Sequence, residues 1–150
     1  MASAETVKLM RNYQTLTPSG TSANGSICGP TTGVLEFPYA PAGRRRAYQG
    51  KADILAYVKQ ATGKVAADAV EQMRISPMLD PGMMVVELSI KGRARANDAP
   101  YNQSFIIFFE VQDGKLRRHR EYWNPLITID AIGDRDKWTA GFGFPKEPGA

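Results

Sequence analysis

The chain's one histidine stands two positions before a glutamate, in the run Arg117-Arg118-His119-Arg120-Glu121-Tyr122-Trp123. Side chains on a β-strand alternate between faces, so a strand here puts His119, Glu121 and Trp123 on one face and Arg118, Arg120 and Tyr122 on the other. A carboxyl that takes and returns a proton, an imidazole that tunes it or binds ligand, and an indole that packs on an apolar molecule are the parts of an acid–base pocket. The plainer alternative is that Glu121 offsets the flanking arginines on a solvated face. Asp113-Gly114, a two-residue hairpin signal, lies just upstream and makes the run a strand paired with the apolar segment before it.

A pocket around such a carboxyl would draw on Phe37, Tyr39, Met73, Met84, Phe105, Phe109 and Trp123, each of which can equally be core packing. Tyr57, on the apolar stripe of its helix, serves the core or the pocket wall. Desolvation of a carboxyl in aromatic and Met-rich surroundings favours its neutral form, which lets it donate as well as accept a proton.

The elements that must position these groups follow from periodicity and punctuation. Residues 4–16 carry Val7, Leu9, Met10, Tyr13 and Leu16 at three- and four-residue spacings, an amphipathic helix. Residues 17–32, rich in Gly, Ser, Thr and Pro, predict an irregular loop, and residues 134–150 a C-terminal tail in which Trp138, Phe142 and Phe144 argue for docking. Short strands are expected at Val34–Tyr39 and Arg44–Gln49, then a helix from Gly50 to about Ala61 stopped by Gly63. Strands follow at Val70–Met78, Met83–Arg95 and Tyr101–Val111, the last strand after Asp113-Gly114, and a short helix at Leu126–Ile132. Helices first and long antiparallel strands afterwards indicate an α+β domain spanning residues 1–150, its helices packed on a curved sheet.

Composition narrows the classes of function. With 150 residues, one cysteine and one histidine, an intramolecular disulfide is impossible and a Cys- or His-based metal site is disfavoured. The net charge of +4 comes partly from Arg44-Arg45-Arg46 and Arg117-Arg118. These runs fit no nucleic-acid-binding motif and suit attraction of carboxylated or phosphorylated small molecules. Residues 1–13 lack a signal-peptide apolar core and no run is long enough to span a bilayer, so cytoplasmic residence without membrane contact is expected. Large apolar groups on both faces of Tyr101–Val111 predict a homodimer formed through the outer face of the sheet.

The strings Gly33-Val34-Leu35-Glu36-Phe37-Pro38-Tyr39, Tyr48-Gln49-Gly50-Lys51, Asp113-Gly114-Lys115-Leu116 and Arg120-Glu121-Tyr122-Trp123-Asn124-Pro125 resemble the SnoaL-like branch of the nuclear-transport-factor-two-like superfamily. They are also similar to the phenazine-biosynthesis A/B proteins. The resemblance covers most of the chain and implies a cone-shaped, barrel-like fold, usually dimeric, that holds small organic molecules. It makes Glu121 the general acid/base, His119 a pocket residue, and Tyr13, in Leu9-Met10-Arg11-Asn12-Tyr13, similar to the oxyanion-stabilising tyrosine of ketosteroid-isomerase-like members.

Departures from the family patterns temper the reaction. Ile107 stands where the polyketide cyclases carry a second histidine, Phe37 where the isomerases carry an aspartate base, and Glu87 is a loose substitute for the second acid of limonene-epoxide-hydrolase-like members. The resemblance implies a cofactor-independent cyclase or isomerase acting on a hydrophobic natural-product intermediate. A non-catalytic small-molecule binding protein and an epoxide-opening enzyme are the alternatives.

Overall fold

The computed structural model describes residues 4, 8, 33–41, 44–113 and 115–133. Within residues 33–133 the described elements are β1 (Val34–Glu36), β2 (Ala47–Gln49), α1 (Lys51–Lys64), β3 (Val65–Pro77), β4 (Met83–Ala94), β5 (Gln103–Gln112), β6 (Lys115–Trp123) and α2 (Pro125–Ile132). The strands form one six-stranded sheet of order β2-β1-β6-β5-β4-β3. Its ends do not meet, so the curved sheet is open rather than a closed barrel. All pairings are antiparallel except that of β1 with β6, which brings Leu35 opposite His119 and Glu36 opposite Arg120.

Strict alternation builds the inner face. On β4, Met84, Val86, Leu88 and Ile90 are buried, and on β5 so are Gln103, Ile107, Phe109 and Val111. These side chains, with Tyr101, Leu116 and Ala131, make the main core. A second cluster of Leu35, Phe37, Ala40 and Ile54, backed by Tyr48, Tyr57, Val58 and Trp123, packs α1 against β1 and β6. Burying one such Leu, Ile or Phe contributes about 1.5–3 kcal/mol, which is what holds the short β1 and β2 in place.

Several boundaries depart from the sequence expectation, among them β2, which begins at Ala47 rather than Arg44, and β5, which begins at Gln103 rather than Tyr101. Three further departures involve α1, β1 and α2. First, α1 continues past Gly63 to Lys64, and Val65 is already extended, so β3 begins five residues before Val70. Alanine is the best intrinsic helix former, but propensity is a weak determinant, and pairing of Val65–Ala67 with Gly92–Ala94 overrides it. Gly92 permits it, because a Cβ there would collide with the Ala66 carbonyl oxygen. Second, β1 ends at Glu36, and a turn closed by Ala40 N–H donating to the Phe37 carbonyl replaces the rest of the expected strand. Third, α2 starts at Pro125, the favoured first helical position, and Asn124 caps it by accepting from Leu126 N–H at 3.0 Å.

The turn ahead of β6 has Asp113 in the left-handed region at φ 53°. Beyond it the register slips by one residue between Glu110–Arg118 and Val111–Leu116. This bulge lets Leu116 and His119, three apart, both be buried.

Candidate functional site

Central position fixes the key strand. β6 lies between β1 and β5, hydrogen bonded on both sides, and its upper half points His119, Glu121 and Trp123 at the space under α1. Arg118 and Arg120 turn outward, where Glu36 answers both at 3.6 and 2.8 Å and Glu110 answers Arg118 at 3.4 Å. The arginines are thus paired with carboxylates on the outer face. Glu121 is left to the inside.

Glu121 Oε2 lies 3.0 Å from His119 Nε2, with side chains 19% and 10% exposed. A carboxylate can only accept, which assigns the imidazole proton to Nε2. The other ring nitrogen, Nδ1, is buried with no hydrogen-bond partner among the described residues. An unpaired acceptor there is tolerated better than a buried unpaired N–H, so the burial agrees with that tautomer. Phe109 meets the imidazole edge-on at 4.7 Å and limits its rotation.

Two cavities flank this pair. The first, about 250 Å³, is walled by Leu35, Ile54, Val58, Leu88, Ile90 and Ile107 and reaches His119. The second, about 170 Å³, runs past Trp123 and Thr128 to Arg44, Arg45 and Lys64. Phe37, Tyr57, Tyr101, Phe105 and Glu121 line both, so the carboxyl stands at the waist between two chambers.

Two phenols face the same waist. Tyr57 packs on Phe37 and Tyr48 with ring centroids 4.8 and 4.5 Å away, and its hydroxyl has no hydrogen-bond partner among the described residues. Burial pushes its proton affinity far above the ordinary phenol range, and the negative charge of Glu121 adds to this. Tyr57 therefore remains an O–H donor in neutral water. Burial also raises Tyr101, partly offset by hydrogen bonds to Thr128, at 3.4 Å, and to Gln103.

The sequence candidates divide. Glu121, His119, Phe37, Tyr57, Phe105 and Trp123 come together around the chambers. Met84 and Phe109, essentially unexposed, and Met73, half-buried, pack in the core behind the wall and are corrected from ligand contact to support. Tyr39 is corrected too: the turn after β1 swings it to the outer side, 61% exposed and edge-on to Tyr122 at 5.0 Å. Glu87 points outward by strand parity and pairs with Arg74 at 3.8 Å. Tyr13 lies outside the described residues, as do the loop of residues 17–32 and the tail of residues 134–150.

Sequence reasoning missed Tyr101 and Gln103. Gln103 is 1% exposed; its amide donates to the Asn124 carbonyl at 2.8 Å and accepts from Asn124 N–H at 3.1 Å, tying the end of β6 to β5. Its inward parity with Phe105 was the available signal. Ile107, at 2% exposure, is the direct cross-strand neighbour of Glu121.

Among the described residues, no group of three or more His, Cys, Asp or Glu is arranged to hold a metal ion. None of the described helices is long and apolar enough to cross a membrane.

No family model matches the chain. YesE of Bacillus subtilis, an uncharacterised protein, is 34% identical over 100 residues, covering 67% of this chain and 68% of YesE. The uncharacterised PhzA/B-like protein PA3332 of Pseudomonas aeruginosa is 29% identical over 101 residues, 67% of this chain and 71% of that one. A crystal structure from Bacillus subtilis, named as a proposed isomerase, superposes with a TM-score of 0.74 at 26% identity, covering 85% of this chain and 91% of that chain. One from Mesorhizobium loti, whose name includes a proposed SnoaL-like polyketide cyclase, shares the fold at a TM-score of 0.60 and 13% identity, covering 78% and 97%. A relative 34% identical over two thirds of both chains places the protein: it belongs to the family of YesE, with the fold seen in the SnoaL-like and NTF2-like crystal structures.

Proposed function

We propose that the chain is an acid–base enzyme of the cyclase or isomerase kind, acting without a cofactor on a hydrophobic small molecule held in the two chambers. The observation that carries this reading is the placement of Glu121 at the waist, hydrogen bonded to His119 and sharing both chamber walls with the hydroxyl-bearing Tyr57. Glu121 removes a proton from the carbon beside a substrate carbonyl. Tyr57 donates a hydrogen bond to the oxygen on which charge develops. The same carboxylic acid then returns the proton, to a different carbon in an isomerisation or to the new alkoxide in a ring closure. His119 holds the carboxylate in one orientation.

The neighbour Ile107 favours a second reading. An apolar residue opposite Glu121 leaves the carboxylate no second titratable partner across the strand pair, as suits a binding protein. Epoxide opening with paired acids loses support, since Glu87 faces outward. A homodimer belongs to the proposal as well. The outer face of the sheet presents Ile106, 46% exposed, beside Phe108 and Tyr122, with Glu36, Glu110, Arg118 and Arg120 around them.

The test uses 2-tetralone, a bicyclic ketone, and follows exchange of its α-hydrogens in deuterated buffer by NMR. The protein should accelerate exchange, and Glu121→Gln, which keeps shape and hydrogen bonding, should lower the rate about 10²–10⁴-fold with little change in affinity. Binding without exchange would favour the carrier reading. Undiminished exchange in the variant would remove Glu121 from its role.

A further inference from the structure

The two chambers share four aromatic residues at the waist and differ in what each adds to them. Beyond Phe37, Tyr57, Tyr101 and Phe105, the first chamber adds chiefly aliphatic side chains, Leu88, Ile90 and Ile107 from the sheet and Ile54 and Val58 from α1. Apart from the imidazole of His119, it adds no aromatic ring among the described residues. The second adds Tyr48 and Trp123 among mostly polar side chains, so six aromatic residues line the smaller space.

Those six are not equally committed. Phe37, Tyr48 and Tyr57 pack on one another with ring centroids 4.5 to 6.1 Å apart, and the Arg45 guanidinium lies over the Tyr48 ring at 4.5 Å. Tyr101, Phe105 and Trp123 meet no other ring among the described residues, although Phe105 and Trp123 stand opposite each other across β5 and β6. An aromatic ring has a negative face and a positive edge, so a partly buried one gains from a second ring set edge-on or offset. A ligand arene supplies that partner, whereas a saturated ring offers dispersion alone. Aliphatic walls give a ligand arene no such advantage and suit a thicker saturated ring or chain.

His119 gives the waist a direction. It lines the first chamber and not the second, so the hydrogen-bonded pair of His119 and Glu121 belongs to the aliphatic side. The removable proton must lie there too, because an arene offers no acidic C–H bond. A cavity of about 150 Å³ holds benzene, so chambers of about 250 and 170 Å³ each take a six-membered ring.

We infer that the substrate class is an alkyl aryl ketone, with its aromatic ring in the second chamber, its saturated part in the first and its carbonyl at the waist. This class rests on the proposed function for the fate of the bound ketone, not for the way it binds. Glu121 takes a proton from the saturated α-carbon, the freed electron pair forms the C=C bond of the enolate, and the carbonyl π pair moves to the oxygen held by Tyr57. Reversal returns the proton to carbon.

The experiment compares cyclohexyl phenyl ketone with dicyclohexyl ketone, by calorimetry and by NMR of the bound state. In the wild type, nuclear Overhauser contacts should join the phenyl protons to the Trp123 indole and the cyclohexyl protons to methyl groups of Leu88, Ile90 and Ile107. The phenyl ketone should bind about threefold to tenfold tighter than the saturated one, the gain of one aromatic pair. Trp123→Leu should at least halve that preference, and Tyr39→Leu, which removes an exposed ring on the outer side, should leave it unchanged. The wild-type contacts decide the orientation even where Trp123→Leu fails to fold. Phenyl contacts to the aliphatic methyl groups, equal affinities in the wild type, or an undiminished preference in Trp123→Leu would overturn the assignment. Binding in the stated orientation without α-hydrogen exchange would sustain it and refute the acid–base reading, whereas exchange with the rings reversed would do the opposite. Failure of both ketones to bind would overturn it together with the apolar cavity.

Discussion

Replacing Tyr57 with Phe isolates one buried hydroxyl, and the structure sets what it should do to stability at two pH values. The ring keeps its contacts with Phe37 and Tyr48, and no hydrogen bond to a described residue is lost. At neutral pH the variant should therefore match the wild type within about 0.5 kcal/mol, below the usual net value of a lost hydrogen bond. Alkali changes the balance. In the unfolded chain Tyr57 ionises around the ordinary phenol value of 10.0, whereas burial and then the charge of Glu121 keep it protonated in the fold. A group whose proton affinity is raised by folding contributes its full stability below the unfolded value and loses it as pH climbs towards the folded one. With the folded value far above, the loss from Tyr57 reaches ~1.4 kcal/mol by about pH 11 and grows by ~1.4 kcal/mol per further pH unit. Urea unfolding of both proteins at about pH 8 and pH 11 measures this, since every other group titrates alike in the two chains. The alkaline loss should be smaller in Tyr57→Phe by that amount. The same loss in both proteins would mean that Tyr57 ionises in the fold much as in water, and would refute both its burial and its role as a standing donor.

Gly92→Ala should cost about 1–3 kcal/mol, because the new methyl meets the Ala66 carbonyl oxygen on one side and sits 3.0 Å from the Tyr101 carbonyl oxygen on the other, and neither backbone yields cheaply; thermal unfolding reports it. Light scattering at micromolar concentration should give twice the chain mass, and Ile106→Lys should shift it towards one chain by placing a charge in the apolar outer patch. The Arg45 guanidinium and then the Gln49 N–H hold the Asp53 carboxyl below the usual carboxylate range. Asp53→Asn should therefore be less stable than the wild type above the unfolded carboxylate value, and the gap should close as pH falls through the folded one, read by denaturant titration across about pH 2–7.

Strand parity was the legible part of the site. Alternation alone puts His119, Glu121 and Trp123 together and sorts Met84, Val86, Leu88 and Ile90 from Val85, Glu87, Ser89 and Lys91, a parity that argues against Glu87 as the site candidate the resemblance made it. Tyr39 was illegible because parity from Phe37 holds only while the strand continues, and the chain turns after Glu36. The early start of β3 depends on Gly92, 26 residues beyond Ala66, granting close approach, and no local preference of an Ala-rich run reveals that. The parallel pairing of β1 with β6 joins segments about 84 residues apart, which makes Leu35 and Phe37 neighbours of the acid pair only in three dimensions. Tyr57 was visible as an apolar-stripe residue; that its hydroxyl reaches a cavity depends on how α1 lies over the sheet.

The position of β6 divides labour between the interior of the sheet and its surroundings. Glu121 and His119 hang from a strand laced to neighbours on both sides, the part of such a sheet that opens least often and whose amide hydrogens exchange most slowly. One side of the chambers comes from α1 and from the turn after β1, joined to the sheet by side-chain packing more than by shared strands. Substitutions at Ile54, Val58 or Ala61 can therefore resize what the chambers accept while the proton-handling pair keeps its geometry. Such a chassis lends itself to redirection: a new substrate can be selected on the helix alone, with the chemistry inherited unchanged from the strand.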